Sequence, residues 1–148
     1  MRETSISVNK YIYQLLITDD KLKELVGNKI YPLIAEESVT YPFIIFTKEN
    51  AFANYTKDLL TYDTVNISVA IAAVNYFQTV QIAERVRQIL ENYRDDYFYN
   101  ILLDNVTEDY VEDTYIQQLQ FSAKINIQYI DDSDEEQEES NDNNDNNN

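Results

Sequence analysis

Carboxylates are the groups in this 148-residue chain that come closest to forming a chemical site. Asp95 and Asp96, Asp104, Glu108 and Asp109, and Glu112 and Asp113 carry the hard oxygen donors that magnesium and calcium prefer. None of these clusters falls in the frame of a calcium loop, which needs acids at alternating positions, a glycine at the sharp turn and a distal bidentate Glu. A glycosidase pair would need one acid of raised pKa in a polar and aromatic cleft, and their spacing specifies no such cleft. The chain has no His and no Cys, which excludes Ser-His-Asp and Cys-His nucleophiles, His-based zinc chemistry, thiolate metal sites and disulfides. Its single glycine, Gly27, cannot build a loop whose backbone amides cradle a phosphate. The expectation is a protein with no catalytic, cofactor-binding or metal-binding residue, and therefore not an enzyme.

Charge narrows the partners. Formal net charge is -16, and the segment from Asp131 to Asn148 holds nine acids and no base, which leaves -7 for residues 1 to 130. A polynucleotide backbone would be repelled, because its binders concentrate Lys and Arg on one surface. Sequence-specific nucleic-acid binding is not expected. A regulatory protein that mimics nucleic acid is an alternative, but it would be acidic over its whole folded surface rather than mainly in a tail. No run of about 18 apolar residues occurs and the N-terminus lacks a signal peptide's pattern, so no membrane association and a cytoplasmic site of synthesis are expected. The length suits one domain over residues 1–130. Residues 131–148 contain only acids, Asn, Gln and Ser, cannot offset the entropy of ordering, and are expected to form a disordered tail.

The elements follow from periodicity. Val8, Tyr11, Ile12, Leu15 and Leu16 form one helical stripe, and Leu22, Leu25 and Val26 repeat it after a cap at Thr18 or Asp19, with Gly27 as a left-handed stop. Ile30 to Pro32 is a short extended piece. Pro42 fits the start of a strand whose Phe43, Ile44, Ile45 and Phe46 are apolar on both faces, so each face needs a cover. Asn50 to Asp58 reads as a loop tipped by Phe52 and Tyr55. A long strand from about Leu59 to Ala73 alternates Val65, Ile67, Val69 and Ile71 with Thr64, Asn66, Ser68 and Ala70. Asn75 caps a helix whose inner side carries Ile82, Val86, Ile89, Leu90 and Tyr93. A strand opens at Tyr97 to Leu103 and continues near Val106, and the acids from Glu108 to Asp113 mark a connection.

The last strand alternates Leu119, Phe121, Ala123, Ile125, Ile127 and Tyr129 with Gln118, Gln120, Ser122, Lys124, Asn126 and Gln128. The expected fold is α+β: an antiparallel sheet of about four strands with two main helices packed on one face, in the order α-β-β-α-β-β. The amide-rich side of the last strand is polar yet weakly charged, which suits contact with another subunit. Tyrosine gives a large contact area with a polar tip, and Tyr13, Tyr55, Tyr62, Tyr97 and Tyr99 fall off the core stripes.

Val26-Gly27-Asn28-Lys29-Ile30-Tyr31-Pro32, Tyr41-Pro42-Phe43-Ile44-Ile45-Phe46, the strand Thr61 to Ala73 and the helix Gln78 to Glu91 together resemble the tail-completion, or tail-terminator, family of long-tailed bacteriophages. The likeness spans residues 8–130. It implies a small α+β virion subunit, assembled in the host cytoplasm, that forms a homo-oligomeric ring, commonly of six, on the head-proximal end of the tail tube. There it would stop tube polymerisation and join the tail to the head connector. A neck or head-completion protein is the alternative within the same class. The implied partners are the chain itself, the major tail tube protein and the head-tail connector protein. A ring needs two different sticky surfaces on each subunit. Candidate subunit or tube contacts are Phe43, Ile45, Phe52, Tyr55, Tyr62, Asn66, Gln118, Gln120 and Gln128. Deleting residues 131–148 is expected to leave the melting temperature within about one degree of the parent, because an undocked tail contributes no burial. A scanning-calorimetry fall of several degrees would show that the tail is docked.

Overall fold

A computed structural model describes residues 3–55 and 60–127. Gln128, Tyr129 and the acidic tail lie outside the described residues, as does the end of the Asn50 to Asp58 segment. A short 3-10 turn, Ser5–Ser7, leads into α1 (Val8–Ile17), α2 (Asp20–Val26), β1 (Ile30–Pro32), β2 (Phe43–Tyr55), β3 (Leu60–Ala73), α3 (Tyr76–Leu90), β4 (Phe98–Val111) and β5 (Thr114–Asn126). The strands form one five-stranded sheet in the order β1-β2-β3-β5-β4. β1 runs parallel to β2, and the other neighbours are antiparallel.

The fold is α+β as the residue pattern implies, with differences that have physical causes. The extended piece at Ile30 to Pro32 is a fifth strand, paired through Ile30 with Ile44 and Pro32 with Phe46, so the sheet is mixed. Asn50 to Tyr55 is strand rather than loop, because β3 pairs with it as far as Leu60. A register shift between Lys48 and Asn50 inserts Glu49 and disguises the alternation. β4 likewise runs through Glu108 and Asp109, and the connection to β5 shrinks to Glu112 and Asp113. Both hold positive φ, 51° and 63°, which gives a two-residue hairpin turn the twist its strands need.

All three helices lie on one face. α1 packs against β1 and β2, and α3 against β3, β4 and β5. Val8, Ile12 and Leu16 of α1 meet Ile44 and Phe46, while Ile82, Val86 and Leu90 of α3 share the core with Val65, Ile67, Val69, Ile71, Phe121 and Ile125. Each such side chain removed from water contributes about 1.5–3 kcal/mol, so periodicity alone accounts for which helix faces turn inward. Tyr97 is buried rather than a surface contact. It stacks on Tyr11 with ring centroids 3.9 Å apart, and its hydroxyl donates to the Thr4 carbonyl at 2.5 Å. Burial, chiefly, raises the Tyr97 phenol above its ordinary range. Asp63 shares the buried face of β3 with Val65, and its carboxylate accepts from the Ser5 amide at 3.1 Å and the Ser5 hydroxyl at 2.5 Å. The chain's start is thereby tied to the middle of the sheet.

Asp19 is the cap of α2, accepting from the Leu22 amide at 2.9 Å, and it also takes a fork from Arg85 of α3, at 2.8 Å through Nε and 2.5 Å through a terminal nitrogen. Arg85, placed by periodicity on the outer side of α3, therefore joins two helices. Its guanidinium, followed by the Leu22 amide, holds the Asp19 carboxyl below its ordinary value of 3.8 despite an opposing cost of burial. Asp19→Ala is expected to cost about 1–3 kcal/mol in urea denaturation, from the lost cap and the unpaired guanidinium. Because the folded value is depressed, the pair's contribution is complete above the unfolded value near 3.8 and is lost as pH falls through the lower folded value. The difference in stability between parent and Asp19→Ala should therefore be constant above about pH 5 and shrink in acid, at pH values below 4.

Candidate assembly surfaces

The register of the sheet sorts the candidate residues onto one surface. Directly paired residues share a face, so the face away from the helices reads across the strands as Phe43, Ala72 and Ile116, then Ile45, Ala70, Gln118 and Thr107, then Thr47, Ser68, Gln120 and Asn105. The next rows are Asn50, Asn66, Ser122 and Leu102, then Phe52, Thr64, Lys124 and Asn100, then Asn54, Tyr62 and Asn126. Seven of the nine candidate residues therefore lie together: Phe43, Ile45, Phe52, Tyr62, Asn66, Gln118 and Gln120. Tyr55 sits beyond the register shift at the end of β2 and is exposed, and Gln128 is outside the described residues. No described element covers this face.

The surface has an apolar end and an amide middle. Ile44 and Phe46 point into the core and are fully buried, whereas Phe43 and Ile45 are half-buried on the open face, so β2 has apolar residues on both faces but helices over one. Phe43 stacks on Tyr41, whose hydroxyl accepts from Thr114 at 2.9 Å. In the middle, the Asn66 side-chain amide donates to the Asn50 carbonyl oxygen at 2.7 Å, and the Ser122 hydroxyl donates to Asp104 at 3.1 Å. Toward the far end, Lys124 lies 4.9 Å from the ring centre of Tyr62. Neutral amides and hydroxyls of this kind leave donors and acceptors for a partner at small desolvation cost compared with full charges.

A second cluster escaped residue-level reasoning. At the end of the sheet where β4 turns into β5, Tyr76 and Phe77 of α3 meet edge to face at 5.3 Å, Tyr76 meets Tyr115 at 5.7 Å, and Tyr110 lies 4.7 Å from Tyr115. Phe77 is 77% exposed and Val74 beside it is exposed too. The available signal was Phe77 itself, a large apolar residue at the start of α3 that falls off the Ile82 and Val86 stripe. Glu108 accepts from Gln117 at 2.9 Å and from the Tyr76 hydroxyl at 2.8 Å, and these bonds, in that order, lower its carboxyl below the ordinary range.

The acid clusters act in local bonding. Asp95 accepts from the backbone amides of Tyr97 and Phe98 at 2.8 and 2.7 Å, and Asp104 and Glu108 have the partners just given. Among the described residues, no group of three or more acids is arranged to hold a metal ion. Among the described residues, Glu3, Asp19, Glu91 and Glu108 are the carboxyls whose pKa values move, and all four move down, opposite to the change that makes a general acid at neutral pH. Among the described residues, no helix is long and apolar enough to cross a membrane.

Neither a family model nor a curated protein matches this chain. A chain in the solved structure of the virion of a native gene transfer agent particle shares its fold, with a TM-score of 0.68 over 78% of this chain and 91% of that one. Identity between the two is 16%, so the likeness is one of fold. If the open face is a free surface and not a structural support, a Gln118→Ala/Gln120→Ala variant should unfold in urea within about 1 kcal/mol of the parent, since substitutions away from buried features stay within about 0.5 kcal/mol each. A loss of several kcal/mol would assign these amides to the fold itself.

Proposed function

We propose that this chain is a structural protein of a phage-like virion, and within that class a tail terminator: a subunit of a ring at the head-proximal end of the tail tube. The observation that carries the reading is the fold shared with a chain of the gene transfer agent virion across 91% of that chain's length. The surfaces support it. A one-sided sheet with an apolar, amide-rich open face, and an aromatic cluster at one end, gives each subunit two distinct areas to bury, which is what a closed ring of identical chains requires. Lowered carboxyl pKa values and the absence of His and Cys favour assembly over catalysis as the role of this chain. In this reading the partners are further copies of the chain, the tail tube protein and the head connector. Excess negative charge would let DNA pass a ring's lumen without adhering.

Two measurements test the reading. Light scattering on the purified chain should give the mass of a ring, six copies being the expected number. Added to polymerising tail tube protein, it should shorten the tubes and decorate one end in negative-stain images. Binding to a connector without any effect on tube length would instead fit a neck or head-completion protein. A monomer at high concentration that leaves tube length unchanged would remove the assembly reading altogether.

A further inference from the structure

We infer that the outer edge of β2 over Asn50–Tyr55 is covered by β4 of a second copy, which adds antiparallel to it and carries the sheet from one subunit into the next. This rests on the virion-ring reading and names the contact that would close the ring. β1 covers the outer edge of β2 only at Ile44, Ile45 and Phe46. Beyond that point no described strand pairs with this edge, although β2 continues for nine residues to Tyr55. From Asn50 onward it reads Asn-Ala-Phe-Ala-Asn-Tyr, with no charge and no proline, and all but Asn54 are exposed. Phe52 is 51% and Tyr55 74% exposed. Open edges are ordinarily guarded by charge, proline or a covering element; Lys48, Glu49 and the register shift beside them guard the first part of this one, and the six residues from Asn50 to Tyr55, which carry neither charge nor proline, call for a strand to lie against them.

The other sheet edge meets the requirement. β4 is the last strand of the sheet; the Asn92 amide bonds its Ile101 carbonyl at 2.7 Å, and from Asn105 to Val111 no described strand pairs with its outer side, where Val106 and Tyr110 are exposed. It carries Asp104, Glu108 and Asp109, and a register shift between Leu103 and Asn105, and both features oppose pairing with a second β4: antiparallel copies would bring two acidic strips together. The uncharged β2 segment offers no such repulsion. Direction agrees as well. Three antiparallel steps separate β2 from β4, so the two run oppositely within one sheet, and copies in the same orientation, slid past each other by about six residues along the strands, place Asn105–Val111 of β4 antiparallel to Asn50–Asn54 of the next β2 and clear of β1.

Size is matched too. The unshifted stretches are Asn50–Asn54 in β2 and Asn105–Val111 in β4, each of ordinary strand length. On the helix side, Ala53 and Ala51 leave space beside them for the larger Val106 and Glu108. On the open side, Asn50, Phe52 and Asn54 meet Asn105, Thr107 and Asp109, so the amide face described above continues across the junction. Because the two edges differ, the contact is heterologous and can close into a ring.

The test uses charge at an exposed position of the full chain. Ala51→Glu sets a carboxylate opposite Glu108 in the acidic strip of the neighbouring β4, and Ala51→Lys sets an ammonium there, while within its own subunit the position pairs with the uncharged Val65. With thermal melts by circular dichroism confirming that both variants fold, sedimentation at low salt should show that Ala51→Glu needs at least about tenfold more protein to assemble, while Ala51→Lys assembles at least as well as the parent. Raising the salt should narrow the gap. Equal behaviour of the two variants, whether both assemble or both dissociate, would overturn the inference, as would a dimeric or monomeric parent. Tube arrest is scored separately. Tubes arrested alike by both variants would keep the functional reading and remove this contact. A parent ring that leaves tubes unarrested, with the two charges still acting oppositely, would do the reverse.

Discussion

The twelve-pair ladder between β3 and β5, unbroken from Tyr62 opposite Asn126 to Ala73 opposite Tyr115, is the constraint from which the remaining arrangement follows. Its side chains alternate, and a one-residue slip of β3 would turn Val65 and Ile67 to water and bring Asn66 inside, while a slip of β5 would turn out Phe121 and Ile125 and bring in Gln118 and Gln120. Burying those four apolar groups is worth several kcal/mol together, so the register is held firmly. Once it is held, the face on which α1, α2 and α3 must pack is decided, and so is the face left over. The open surface is thus a direct result of having helices for one side of a sheet and none for the other.

That result links packing to the composition of the surface. The residues on the open face are neither a plain solvated surface nor a second core. Phe43 and Ile45 are too apolar for the first, and Asn66, Gln118 and Gln120 too polar for the second. A surface of this composition resembles the rest of a protein's exterior in bulk, with an apolar patch and polar surroundings, as interfaces between subunits commonly do.

What could be read from residues was whatever repeats. The stripes of α1 and α3, the cap at Asn75, the stop at Gly27 and the alternations of β3 and β5 all depend on spacing within a single element, and all are present. What could not be read depends on a neighbour. Asn50 to Tyr55 is built from Asn and Ala, which have little strand preference, and is extended because β3 lies beside it. The second half of β4 carries Glu108 and Asp109, which resemble a turn until β5 holds them. β1 is three residues long and has no period to detect. Tyr97 fell off every stripe because it belongs to the turn before β4, where Asp95 fixes its backbone and Tyr11 receives its ring. Asp63 offered a signal that was readable: a carboxylate at an inward position of an otherwise apolar alternation requires a buried donor, and Ser5 provides two.

The scarcity of glycine has a consequence for where stability resides. Gly27 takes a left-handed conformation without penalty, but Leu33, Asn92, Glu112 and Asp113 adopt positive φ with side chains attached, at a cost of roughly 1 kcal/mol for each ordinary residue so placed. Glycine at those points would relieve the native backbone and at the same time enlarge the number of conformations open to the denatured chain. This molecule accepts mild strain at its turns and retains a stiffer unfolded ensemble. Part of its resistance to unfolding therefore resides in the state that has no structure at all.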